Sequence, residues 1–265
     1  MIIIGEKINA TRKSIAAAVA EKDERHIIAT AVEQVAAGAN YIDLNGGDPK
    51  AEAEIANMEW LVKLIQTNID APLCLDSANI DAIKAGLTLA EKKPIVNSIS
   101  LETERMEAFL PVLAEHECMV IGLCMSDAGM PTGADDRVER AEGLIERITS
   151  IGKKVDEIII DPCFVPVSTD PQSARNTCEA IRIIHEKFPD VHIGGGLSNT
   201  SFGLPGRKFI NLAMVATAVY FGMDAAIVDP CTPNMVPLML AGEVISASDE
   251  WCANYVSAHR EGKLK

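Results

Sequence analysis

The chain has 265 residues, of which 48% are hydrophobic and only 4% aromatic, so its core must be aliphatic. This length suits one large domain, and we expect a single domain over residues 1–265. The formal net charge is -14 without a run of Lys and Arg, which disfavours nucleic acid and anionic membrane surfaces as partners.

Eight short apolar runs of β-branched character predict strands, and longer segments with helical spacing follow them. In chain order the predicted strands are 2–4, 41–44, 73–75, 95–96, 119–123, 157–160, 192–194 and 225–228. The clearest predicted helices are 23–37, 58–67, 102–116, 135–151 and 170–188, and the segment 248–260 predicts one extra helix that closes the chain.

Eight βα units without a break in composition favour a closed (β/α)8 TIM barrel, an α/β fold, over an open doubly wound sheet. The open sheet remains the alternative topology. Its phosphate fingerprint Gly-x-Gly-x-x-Gly is absent after the first strand, and the run Gly194-Gly195-Gly196 lacks that spacing. A dinucleotide site is therefore disfavoured.

Cysteine and histidine spacing gives little support for a metal site. Seven cysteines form no Cys-x-x-Cys pair, and an odd number of them fits reduced thiols in a cytoplasm better than a disulfide framework. The opening apolar run is too short for a signal peptide, and nothing approaches the roughly 20 apolar residues of a membrane span. We expect a cytoplasmic protein with no metal ligands.

Polar residues end most of the predicted strands. The set is Glu6, Asn9, Asp43, Asn45, Asp76, Asn97, Asp161, Ser198, Asn199 and Asp229. Each residue alone could be an ordinary turn or N-cap residue, but seven of the eight strand ends carry a carboxylate or carboxamide. In a barrel these ends share one rim, where such enzymes place their active sites. A rim of this composition suits a neutral heterocycle with an edge of donors and acceptors, such as a pterin.

Seven motifs carry a family resemblance over nearly the whole chain. They are Ile4-Gly-Glu-Lys-Ile-Asn9, Asp43-Leu-Asn45, Met58-Glu-Trp-Leu61, Leu73-Cys-Leu-Asp-Ser77, Val96-Asn-Ser98, Ile160-Asp-Pro162 and Gly196-Leu-Ser-Asn199. In order and spacing they resemble the pterin-binding methyltransferases that act with corrinoid proteins. The closest resemblance is to the methyltetrahydrofolate:corrinoid/iron-sulfur protein methyltransferases. The folate domain of methionine synthase and dihydropteroate synthase are more distant.

The resemblance implies a homodimeric TIM barrel that binds the pterin of tetrahydrofolate in its polar rim. Asp76, Asn97 and Asp161 are implied to hydrogen-bond the pterin, and Asn199 is implied to be catalytic by reaching N5. The implied folate-binding set also includes Asn9, Asp43, Gly196, Ser198 and Arg207, the last of these near the position of a pterin-stacking arginine.

The implied activity is an SN2 transfer of a methyl group between N5 of tetrahydrofolate and the cobalt of a corrinoid, in a direction that the sequence leaves open. His259-Arg-Glu-Gly262 matches only half of the corrinoid-binding signature Asp-x-His-x-x-Gly, so we expect a separate protein to supply the corrinoid. The segment after Asn199 reads Thr-Ser-Phe-Gly-Leu-Pro and departs from the closest kin, which leaves the identity of that partner open.

Two alternatives remain. One is a pterin-condensing enzyme like dihydropteroate synthase, although the segment after Asp161-Pro162 reads Cys-Phe-Val-Pro where that enzyme needs a Gly-rich loop for a diphosphate. The other is a non-catalytic folate-binding subunit.

Overall fold

Eight parallel strands alternate with helices in the computed structural model, which describes residues 1–264. The strands are β1 Ile2–Asn9, β2 Tyr41–Asn45, β3 Leu73–Asp76, β4 Ile95–Leu101, β5 Met119–Ser126, β6 Ile158–Asp161, β7 His192–Ile193 and β8 Ala225–Val228. Each strand from β1 to β6 pairs with the next one in parallel, and β1 also pairs with β8. The predicted TIM barrel is confirmed.

Helices follow every strand. They are α1 Lys13–Glu21, α2 Glu24–Ala36, α3 Ala51–Asn68, α4 Ile80–Leu89, α5 Thr103–Glu115, α6 Ala134–Ser150, α7 Ser173–Lys187, α8 Arg207–Tyr220, α9 Met235–Ile245 and α10 Ala253–Arg260. None of the helices described between residues 1 and 264 is long and apolar enough to cross a membrane.

The barrel closes between β7 and β8 through a short glycine segment. The amide of Asp224 donates to the carbonyl of Ile193 at 3.1 Å, and the amide of Ile227 donates to the carbonyl of Gly195 at 3.0 Å. A Cβ added to Gly194 would lie 1.9 Å from the carbonyl oxygen of Ala225, so only glycine allows the two chains to approach this closely.

Apolar side chains fill two layers, as strands buried on both faces require. One layer fills the barrel interior and consists of Ile4, Cys74, Ile95, Met119, Ile121, Ile159 and Ala225. The other lies between strands and helices and includes Ile42, Leu61, Ile83, Phe109, Leu144, Ile181 and Val215. Because the interior of the barrel is packed, a ligand has access only at its rims.

The differences from the predicted elements have local causes. Helix α1 was not predicted. Its N-cap residue is Arg12, which makes no capping hydrogen bond, so the usual start signal of a helix is missing. The segment 248–260 does not form one helix, since Trp251 and Cys252 adopt left-handed φ angles of 57° and 55°. A short 3₁₀ helix, Glu250–Cys252, therefore precedes α10.

We expect Gly194→Ala to destabilise the fold strongly, because the new methyl group collides with backbone that cannot rotate away. Overpacking of this kind typically costs about 1–3 kcal/mol or more. Urea unfolding measures the loss. Gly143→Ala is the control, since its Cβ would make ordinary contact with the Leu101 side chain at 3.4 Å in helix α6. Equal stability of the two variants would contradict the closure described here.

Candidate active site: the carboxyl-terminal rim

Carboxylates and amides from β1 to β4 meet at the rim. Asp76 accepts hydrogen bonds from the side-chain amides of Asn45 at 3.0 Å and Asn9 at 3.5 Å. Asp43 accepts one from the amide of Asn97 at 3.4 Å. Asn9, Asn45 and Asp76 are the last residues of their strands. Asp43 and Asn97 lie within β2 and β4, and the parallel register pairs Asn97 with Asp76.

Asp43 and Asp76 are hard to ionise. Asp43 is only 1% exposed, and burial, with the nearby charge of Asp76, raises its pKa well above the ordinary value. Burial also raises the pKa of Asp76, and the Asn45 amide and the Arg105 charge partly oppose that rise. A neighbouring group that donates N–H bonds would stabilise the ionised form of either carboxyl group.

Asp161 ends β6 and is held by backbone donors. Its Oδ1 accepts from the amide of Cys163 at 2.8 Å and its Oδ2 from the amide of Gly196 at 3.3 Å. A Cβ on Gly195 would lie 2.0 Å from Oδ2, so glycine is required beside this carboxylate. Burial raises the pKa of Asp161 to about 6 despite these bonds and the charge of Arg137.

Glu6 links the first strand to the loop after β7. The hydroxyl of Ser198 donates to both Glu6 oxygens, at 3.2 and 3.3 Å, and the guanidinium of Arg12 donates to Oε1 at 2.9 Å. Burial raises the pKa of Glu6, although Arg12 opposes this. Arg207 donates to the carbonyl of Ser198 at 2.7 Å, and its guanidinium lies 5.8 Å from the ring centre of Phe202.

Asn199 lies inside the 3₁₀ helix Leu197–Ser201 with an exposed side chain. Its backbone amide donates to the Gly196 carbonyl at 3.1 Å, and its side-chain nitrogen would lie 3.1 Å from a Cβ added to Gly196. Gly196 occupies the N-cap position of the 3₁₀ helix, and α8 begins at Arg207. An N-cap role for Asn199 is therefore wrong, and its amide is free to meet a ligand above the rim.

The structure brings the nine predicted site residues to this one rim. Asn9 is hydrogen-bonded to Asp76 and Asn97 to Asp43, and the loop after β7 carries Gly196, Ser198 and Asn199. Their roles in binding and catalysis stay predictions. Arg105 was not predicted as a residue of the site. It lies on helix α5 and donates to the carbonyl oxygens of Ser77 and Ser98. An arginine in the first turns of a helix carries no motif, so only the folded chain reveals it.

The rest of the described chain offers no metal site, but it has a cavity apart from the rim. Within the described part of the chain, residues 1–264, no group of three or more His, Cys, Asp or Glu side chains could hold a metal ion. A cavity of about 940 Å³ lies on the outside of the barrel between α7 and α8, and Phe209, Met214 and Phe221 are among its lining residues. Apolar side chains form most of its wall, Arg175, Asn176 and Glu179 of α7 are among its polar residues, and none of the rim carboxylates lines it.

The family described as pterin binding enzyme matches residues 5–229, which include every rim residue described above. The chain belongs to this family of pterin-binding enzymes. The resemblance to its corrinoid-dependent methyltransferases is confirmed by a relative from Eubacterium limosum, "Methylcorrinoid:tetrahydrofolate methyltransferase", which is 35% identical over 266 residues. That similarity covers 100% of this chain and 98% of the relative.

Other relatives of this pterin-binding enzyme are less similar. Methionine synthase of Mycobacterium tuberculosis is 31% identical over 241 residues, which cover 86% of this chain but 20% of that protein. Dihydropteroate synthase of Coxiella burnetii, solved with pteroic acid, superimposes with a TM-score of 0.68 at 15% identity and 94% coverage of both chains. The enzyme from Xanthomonas albilineans gives 0.68 at 17% identity and 93% coverage of both. These structures show a shared fold.

We expect Asp161 of this pterin-binding enzyme to titrate near pH 6 in the absence of ligand, because burial penalises its charged form. The folded-state pKa is raised, so protonation favours the folded chain. Above pH 6 the buried, charged Asp161 lowers the free energy of unfolding. This penalty, at most about 3 kcal/mol, is lost as the pH falls from about 6 to about 4.

Carbon-13 NMR of the aspartate carboxyl carbons measures this pKa, with Asp161→Asn used to assign the resonance. A midpoint near pH 4 would contradict the burial of an ionisable group at this position.

Proposed function

We propose that this chain transfers a methyl group between N5 of tetrahydrofolate and the cobalt of a corrinoid carried by a separate protein. The observation that carries the proposal is the 35% identity along the full length of a methylcorrinoid:tetrahydrofolate methyltransferase. The name of that relative gives a methylcorrinoid as the donor and tetrahydrofolate as the acceptor, which favours the same direction here. The dihydropteroate synthases share 15% to 17% identity, which supports only a common barrel.

The rim suits the pterin of folate. A pterin presents an amino group and ring N–H donors along one edge, and a carboxylate can accept two such bonds at once. We assign this contact to Asp161 and Asp76, and assign Asn97 a hydrogen bond to the same ring. Asn9 and Asp43 complete the pocket wall. Burial of these carboxyl groups supports the assignment, since a ligand that donates N–H groups compensates a charge that water reaches poorly.

The loop after β7 supplies the group for the chemical step. As the methyl carbon bonds to N5, its bond to cobalt breaks, the electron pair of that bond stays on cobalt, and N5 loses its proton to solvent. We assign Asn199 a hydrogen bond to N5, since its exposed amide lies at the rim. Gly196 and Ser198 shape this loop, and Arg207 holds it through the Ser198 carbonyl.

We assign the whole chain, residues 1–265, to one pterin-binding domain that works in the cytoplasm. The seven cysteines, all within the described residues, are free thiols, which supports a reducing compartment. The corrinoid protein would approach the rim, where Phe202 exposes its ring beside Arg207.

Single-turnover transfer to free corrinoid tests the proposal. Purified chain is mixed with methylcob(III)alamin and tetrahydrofolate, and the spectrum of cob(I)alamin and the yield of 5-methyltetrahydrofolate are followed. A methyltransferase gives both products in equal amounts. A pterin-condensing enzyme gives neither, and a folate-binding subunit binds tetrahydrofolate without turnover. Either of these outcomes rejects the proposal.

We expect Asn199→Ala to lose about 10²-fold or more in the rate of methyl transfer, because its hydrogen bond strengthens as the charge on N5 changes. The dissociation constant for 5-methyltetrahydrofolate should change much less, since the bond contributes little to the ground state. Single-turnover kinetics and calorimetry on one preparation measure both. Asn254→Ala, on the exposed face of α10, is the control and should match wild type. A rate loss equalled by the loss of affinity would reduce Asn199 to a binding residue.

We also propose that two copies pair through helices α7 and α8. Phe209 is 75% exposed and borders the apolar cavity between these helices. Large exposed apolar patches of this kind are uncommon on monomers. A two-fold axis would place the Phe209 ring of each copy against the cavity of the other, which is the self-complementary arrangement that closed dimers use.

We expect Phe209→Glu to yield monomers, because a carboxylate cannot enter an apolar contact without losing its hydration. Light scattering after size-exclusion chromatography measures the mass. Val32→Glu, which changes an exposed apolar residue on α2, should leave the dimer intact. Monomeric wild-type protein, or a dimeric Phe209→Glu variant, would reject this interface.

A further inference from the structure

The end of β3 and the neighbouring part of β4 make contacts beyond the hydrogen bonds between the two strands. The residue after Asp76 is Ser77, whose backbone amide donates to the carbonyl of Asn97 at 3.2 Å. The Ser77 hydroxyl donates to Glu54 of helix α3 at 2.6 Å. These contacts fix the chain directly beyond two of the side chains that we assign to the pterin.

Arg105 of helix α5 connects these same parts of β3 and β4. Its Nε donates to the carbonyl of Ser98 at 2.8 Å, and Nη2 donates to that oxygen and to the carbonyl of Ser77 at 3.3 Å. Ser98 directly follows Asn97, as Ser77 follows Asp76. A planar guanidinium presents several donors in fixed directions, so one side chain can hold two carbonyl oxygens in a set relation.

The arginine itself has little freedom. It is half-buried, and its guanidinium carbon lies 4.5 Å from the centre of the Phe109 ring, in the range of a cation–π contact. Phe109 is buried in the core one turn further along α5. The helix therefore supplies a rigid support for the guanidinium.

We propose that Arg105 is a positioning residue, which aligns Asp76 and Asn97 for the pterin although it does not touch the folate itself. The inference rests on the proposed function, because Asp76 and Asn97 matter only if folate binds at this rim. Arg105 would also have an ionic role, because its positive charge favours the ionised form of Asp76.

The charge of Arg105 acts on a crowded carboxylate. Burial raises the pKa of Asp76, the amide of Asn45 and the charge of Arg105 lower it, and Glu54 raises it. The charge of Asp76 in turn helps to raise the pKa of the buried Asp43. The amide of Asn9 completes the groups around Asp76. Without the arginine, Asp76 should take up a proton at higher pH, and the neutral acid should accept the pterin N–H donors less well.

The experiment compares wild type, Arg105→Gln and Arg105→Lys by titrating each with 5-methyltetrahydrofolate between pH 5 and 8. We expect Arg105→Gln to raise the dissociation constant about ten-fold or more. The low-pH limit of its binding should move to higher pH. The rate at saturating folate should fall much less than the affinity, because the contact belongs to ground-state binding. Arg105→Lys keeps the charge, so its pH limit should stay at the wild-type value while its affinity is intermediate.

Arg147→Gln, an exposed arginine of α6, is the control and should match wild type throughout. Circular dichroism and thermal unfolding establish that each variant is folded. If Arg105→Gln does not fold, Arg105→Lys decides, since wild-type affinity in that variant would overturn the positioning role. Weakened binding without a pH difference between the Gln and Lys variants would overturn the ionic role. Failure of wild type to bind folate would instead reject the proposed function.

Discussion

The rim depends on one constraint, which is that the aspartates Asp43, Asp76 and Asp161 are removed from water without a cation in direct contact. Asp161 illustrates it, since its two oxygens are held by the backbone amides of Cys163 and Gly196. Neutral donors offset only part of the cost of burying the charge. The remaining cost raises the pKa of Asp161 to about 6. A ligand with N–H donors would supply the remainder. Burial of Asp161 is therefore an unfavourable contribution in the unliganded fold that a donating ligand would relieve.

The same constraint explains the glycine segment that closes the barrel. Gly194 lets β7 approach the backbone of β8, Gly195 leaves room for the carboxylate of Asp161, and Gly196 supplies one of its donors. Three adjacent residues thus serve closure, space and hydrogen bonding. The strand before them, β7, is only two residues long, so these glycines take the place of further regular pairing.

The fold and most rim residues could be predicted because their signals are local. Period, length and strand-end polarity depend on a few consecutive residues, and the parallel barrel then determines that Asp76 and Asn97 are neighbours. Other features could not be predicted, since they depend on chain segments far apart. Nothing near Arg105 in the sequence indicates that it contacts one carbonyl group after β3 and another within β4. The left-handed residues Trp251 and Cys252 likewise carry no turn signature.

Arginines of the outer helices repeat one arrangement around half of the rim. Arg105 donates to the carbonyls of Ser77 after β3 and Ser98 within β4, and Arg140 donates to the carbonyl of Cys124 within β5. Arg137 donates to the carbonyls of Pro162 and Cys163 after β6. Arg137 is only 1% exposed, so its charge is solvated almost entirely by backbone oxygens. Loops rich in carbonyl groups thus stabilise buried cations, and the cations stabilise the loops. The charge of Arg105 also lowers the pKa of Asp76, and the charge of Arg137 lowers that of Asp161, although burial outweighs both. The helices therefore shape the loops and set the electrostatic potential in which the strand-end carboxylates work.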